Sequence, residues 1–74
     1  MKTDYRHIHF VQLSQKPKTS IWACCNNSSG GELGQIKWYG PWRQYCFFPE
    51  SYCVFNVSCL DDIKDFIRQL KEGR

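Results

Sequence analysis

Apolar and polar side chains alternate between residues 5 and 13. His7, His9 and Val11 fall on one side of an extended chain, and Arg6, Ile8, Phe10 and Gln12 on the other. A period of two over this length predicts a strand. Residues 14–20 (SQKPKTS) are polar and contain a proline, which predicts a loop. A second short strand follows at 21–25 (IWACC). Residues 26–31 (NNSSGG) form the strongest turn signal in the chain, because Asn and Gly tolerate positive φ. The runs 33–39 (LGQIKWY) and 42–48 (WRQYCFF) flank Gly40-Pro41 and predict a β-hairpin. Residues 53–57 (CVFNV) predict a fifth short strand. The period then changes: Leu60, Ile63, Phe66, Ile67 and Leu70 recur at helical spacing as one apolar stripe. Ser58 with Asp61 has the form of a capping box, Asp61 and Asp62 suit the first turn, Lys71 suits the last, and Gly73 ends the helix.

These elements predict an α+β fold, a four- to five-stranded antiparallel meander sheet with one C-terminal amphipathic helix packed on one face. The expected organisation is a single domain over residues 1–74, with the sheet within 5–57 and the helix over 59–72. One helix covers one face of a sheet, so the other is left to water, a dimer partner or a ligand. Alternation puts Gly34, Ile36 and Trp38 on one side of the third strand. In the fourth strand Trp42, Gln44, Cys46 and Phe48 share a side. The set Lys37, Tyr39, Arg43, Tyr45 and Phe47 is the more polar and is expected to face outward. Trp22, Trp38 and Phe48 are expected in the core.

Composition narrows the function classes. With 74 residues the chain is too short for a dinucleotide-binding fold, a barrel enzyme or a kinase. An apolar content of 42% with 16% aromatics excludes a disordered chain. The net charge of +3 lies wholly before residue 58. In the C-terminal segment Asp61, Asp62, Asp65 and Glu72 balance Lys64, Arg68, Lys71 and Arg74. A mild basic excess favours anionic partners without the strong charge of a dedicated nucleic-acid binder. No apolar run is long enough to span a membrane, and the N-terminus has no signal-peptide pattern, so a cytoplasmic location is expected. The five cysteines, at 24, 25, 46, 53 and 59, are an odd number and are expected as reduced, packed thiols.

Little in the sequence points to catalysis. There is no Cys-x-x-Cys pair; His7 and His9 share a strand side and form a two-ligand metal candidate that lacks a third ligand. No cysteine sits in a nucleophile-elbow pattern. The glycines at 30 and 31 precede a strand and not a helix, so they form no phosphate-binding loop. No cofactor is implied, and the expectation is a non-enzyme. Binding is better supported. Lys37, Tyr39, Trp42, Arg43, Tyr45 and Phe47 put cations and rings on one hairpin. Such a surface suits a protein partner, or single-stranded nucleic acid or a nucleotide through stacking and phosphate pairing. It also suits a homodimer interface. The same residues have a purely structural use as core rings and cation–π pairs.

The segment 33–49 (LGQIKWYGPWRQYCFFP), with Cys59-Leu60-Asp61-Asp62-Ile63 and Phe66-Ile67, resembles a group of uncharacterised phage, prophage and bacterial proteins of about 70 residues. They share an LGxIxWyxxWRxYxFxP-like core. The likeness is close over 33–49 and loose over 19–70. It implies a mobile-element setting and action in the host cytoplasm. Small proteins in that setting often inhibit host defence, by blocking a protein surface or sequestering a nucleotide signal. The resemblance assigns no functional residue.

Overall fold

In the computed structural model, residues 1–73 are described; Arg74, counted in the charge balance above, lies outside them. The alternating segments become four strands: β1 (Ile8–Gln15), β2 (Ser20–Asn26), β3 (Glu32–Tyr39) and β4 (Gln44–Pro49). They form one antiparallel sheet in the order β1-β2-β3-β4. Helix α1 (Val57–Glu72) follows and packs on one face. The fold is therefore α+β with an open sheet, as the periodicities predict.

Register decides which side chains the helix meets. Directly paired residues on neighbouring strands share a face. Phe10 pairs with Cys24, Cys24 with Gly34, Trp22 with Ile36, and Ile36 with Phe47. These, with Ile8, Trp38 and Tyr45, form the helix side of the sheet. From α1 come Cys59, Ile63, Phe66 and Leu70. Phe66 is fully buried at the centre. It stacks on Phe10 with ring centroids 4.0 Å apart and takes the edge of Trp22 at 5.1 Å. The glycine of β3 has a steric reason: a Cβ on Gly34 would lie 2.6 Å from the Phe47 ring and 2.7 Å from the Phe48 carbonyl oxygen.

Four expectations need correction. The first concerns the phase of β4. Tyr39 pairs with Gln44, so residues 40–43 form the connection and Lys37 faces Cys46. Tyr45 and Phe47 therefore lie on the helix side, where Tyr45 is buried and Phe47 half-buried, and Phe48 lies on the open side. Second, residues 53–56 form no strand. They carry the chain beneath the sheet, and Phe55 sets its ring edge-on to Phe47 at 5.3 Å. Third, the helix begins at Val57 with Asn56 as its cap, whose Oδ1 accepts from the Cys59 N–H at 2.8 Å. Ser58 is already helical, and Asp61 and Asp62 lie beyond the first turn. Fourth, the buried stripe starts at Cys59. At about 100° per residue, Leu60 is turned well away from the Cys59–Ile63–Phe66–Leu70 line and is half exposed.

The chain before β1 folds back along it. Phe10 N–H donates to the Thr3 carbonyl, and Tyr5 N–H to that of Ile8. This turn, outside the strand, buries Tyr5, whose hydroxyl reaches Asp65 at 2.8 Å and Gln69 at 2.9 Å. Gln69 also exchanges two hydrogen bonds with the backbone of Lys2. One side chain thus ties the N-terminus to α1.

Candidate functional site

The face away from α1 is built in rows by the same register. Val11, Ala23, Gln35 and Phe48 lie side by side across all four strands. A second row includes Lys37 and Cys46, and Tyr39 lies nearer the turn. At this turn the aromatic side chains gather. Trp42, two-thirds exposed, meets Tyr39 edge-on at 5.1 Å, and Tyr39 meets Phe48 at 6.0 Å. The Lys37 ammonium stands 4.6 Å above the Phe48 ring. Val11 is nearly half exposed beyond them. The four strands carry only two side chains with formal charge, Glu32 near one end and Lys37 near the other. The surface is therefore aromatic, aliphatic and almost neutral.

Of the six residues proposed from sequence, Lys37, Tyr39 and Trp42 come together here. Phe48 joins them, having been assigned to the core. The hairpin connection decides this: its four residues reverse the phase that plain alternation across Gly40-Pro41 suggests. Tyr45 and Phe47 belong to the helix side.

Arg43 goes elsewhere. It follows the 3₁₀ turn Gly40–Trp42 with φ 53° and ψ 46°, and its N–H donates to the Gly40 carbonyl at 3.1 Å. That left-handed conformation is uncommon outside Gly, Asn and Asp. Its side chain lines a cleft of about 440 Å³ between the β3–β4 turn and the end of α1, with Trp38, Gln44, Tyr45, Ile67 and Lys71. Lys71, whose place in the last turn suits the helix dipole, thus also lines this cleft. A wider cleft of about 670 Å³ lies on the other side of Tyr45, beside Lys18, Ser20, Trp22 and Leu70. There the Tyr45 hydroxyl accepts from the Ser20 N–H at 3.1 Å.

Of the remaining chemical candidates, His9 has a structural partner. Asn27 gives its amide protons to the carbonyls of Tyr5 and Arg6, so its Oδ1 is the acceptor for His9 Nδ1 at 2.6 Å. His7 is exposed just before β1. Among the described residues no group of three His, Cys, Asp or Glu side chains is placed to hold a metal ion. Burial pushes the Cys24 thiol up to about 12. Cys25 is raised too, by burial first and then by Glu32. Both thiols are thus held in the form that is a poor nucleophile. Asp65 pairs with Arg68 as its spacing predicts; no ion pair joins Asp61 to Lys64. No described helix is long and apolar enough to cross a membrane.

The chain is 36% identical over 69 residues to an uncharacterized 9.3 kDa protein of Acholeplasma phage L2, a match spanning 92% of this chain and 88% of the relative. No family model and no solved structure matches it.

Proposed function

Since the chain belongs to one family with this small phage L2 protein, we propose that it is a non-catalytic binding module that docks on a host protein through the open face of its sheet, in the manner of an inhibitor of host defence. The observation that carries this reading is the cluster of Tyr39, Trp42, Phe48 and Lys37 on a face that α1 leaves uncovered. Aromatic side chains on a rigid, nearly neutral surface are the usual energetic centre of a protein–protein contact. Single-stranded nucleic acid needs cations that follow its backbone, and this face has one, Lys37, already seated on Phe48. The relationship to a phage protein supports a phage setting for the reading.

The test is native mass spectrometry of the protein purified gently from its host, beside the variants Tyr39→Ala and Trp42→Ala. One host protein at fixed stoichiometry is expected. Each variant should weaken the complex by about 2 kcal/mol or more, as aromatic anchors do, and keep its melting temperature within a few degrees. A complex that survives both substitutions moves the site off this face. A bare homodimer whose mass depends on concentration and which Phe48→Asp dissociates would replace the reading with self-association.

A further inference from the structure

The cleft between the hairpin turn and the last turn of α1 has its own chemistry, separate from the open face. Trp38, Tyr45 and Ile67 give it apolar walls, Gln44 contributes an amide, and Arg43 and Lys71 contribute two positive charges. No carboxylate of the described residues lines it. The ion pairs of the described residues belong to Arg68, which holds Asp65 and Glu72. Neither Arg43 nor Lys71 is neutralised in this way. Two cations with no ion-pair partner among the described residues, at one concave and partly apolar site, repel each other and raise the local concentration of anions.

The backbone supplies a second argument. Arg43 occupies the left-handed region at φ 53°, where glycine carries no Cβ penalty. The turn alone would favour glycine here. Tyr52 shares that conformation at φ 63° but stands fully exposed, whereas the Arg43 side chain lines the cleft.

From these observations we infer that the cleft binds a small phosphorylated molecule with a planar ring, of nucleoside monophosphate size. Arg43 presents a planar fork that matches phosphate oxygens in pairs, and Lys71 adds a point charge beside it. The ring lies along the wall of Trp38, Tyr45 and Ile67, within reach of the Gln44 amide. A volume of about 440 Å³ is in the usual range for small-ligand sites, about 300–1,000 Å³, and exceeds what bare phosphate fills. The carbonyl end of a helix disfavours an anion, so the phosphate sits toward Arg43 and the turn, with Lys71 offsetting the helix end.

The experiment is an NMR titration of the labelled protein with each of the four common nucleoside 5′-monophosphates at low salt, and with inorganic phosphate and the matching nucleoside as separate probes. At least one nucleotide should produce saturable shifts centred on Arg43, Gln44, Lys71 and the Trp38 indole, weakening as salt is added. Its phosphate and nucleoside halves should each bind at least tenfold more weakly. Arg43→Gly should keep or raise the melting temperature while weakening binding about tenfold. Lys71→Gln, on an exposed helix position, should weaken it in the same direction and leave the fold intact. Absence of saturable shifts with all four nucleotides overturns the inference. So does affinity unchanged in Arg43→Gly. Phosphate binding as tightly as the nucleotide overturns the ring-bearing ligand and leaves a bare anion site. Arg43 and Lys71 take no part in the proposed protein contact, so either result stands independently of that reading.

Discussion

A single missing methyl group sets the packing around Gly34. Its α-carbon lies under the Phe47 ring and against the Phe48 carbonyl, and a Cβ there would meet both at less than 3 Å. Backbone is the harder of the two to move, so relief by a ring rotation is incomplete. Gly34→Ala should destabilise the fold by about 1–3 kcal/mol, the range for overpacking, read as a lower urea midpoint at constant slope. An unchanged midpoint would mean that β3 and β4 separate freely here. Arg43 shows the opposite relation, a side chain standing where the backbone favours glycine. Neither residue stands out by type alone; each is explained by what lies within a few ångströms.

The helix illustrates what changes at the scale of an element. Its existence and amphipathic character are plain in the spacing of Ile63, Phe66, Ile67 and Leu70, and the structure buries that stripe. Its start is not plain, because Ser58 and Asn56 are both competent caps. The loop from β4 must first seat Phe55 against Phe47, and the chain then turns helical at once, with Asn56 at the cap. Asn56→Ala should cost about 1 kcal/mol, while Ser58→Ala, already inside the helix, should be nearly neutral. Thermal melts of the two variants distinguish the caps, and the reverse order of effects would place the helix start two residues later. In the sheet, strand existence was legible from alternation, whereas the phase of β4 was not. Plain alternation across the turn put Tyr45 and Phe47 outward. The four-residue connection puts them inward and Phe48 outward.

At the scale of the molecule, Asp65 shapes the acid side of the stability profile, and Cys24 and Tyr5, with a smaller part from Cys25, shape the alkaline side. Asp65 is held below the usual carboxylate range by the Tyr5 hydroxyl first and Arg68 next. Its contribution is present above a pH of about 4 and is lost as pH falls through its lowered folded value. Cys24 is pushed up by burial to about 12. Tyr5 is raised well above the usual phenol range, by burial first and then by Asp65. For these two the unfolded chain ionises first, so stability is constant up to a pH of about 9 and declines as pH rises further. A melting-temperature profile should show a plateau with loss on both sides. Tyr5→Phe should flatten the acid limb. Cys24→Ala should lower the plateau through the lost packing and flatten the limb between about pH 9 and 12. An alkaline slope that Cys24→Ala leaves unchanged would assign that limb to other groups.

The sequence by itself determined the four strands and the helix, their order, and the presence of one helix-covered and one open sheet face; the fifth strand it suggested over 53–57 does not form. Those follow from periodicity, which is local and repeats along the chain. It also marked Lys37, Tyr39 and Trp42 as neighbours, because a hairpin brings its two ends together. Tertiary structure alone decided which rings face outward, that Arg43 joins Lys71 from a helix almost thirty residues on, and that Tyr5 anchors the N-terminus to Asp65 and Gln69. Those outcomes depend on connection length, register and the docking angle of the helix, which couple residues far apart in the chain and leave no periodic trace.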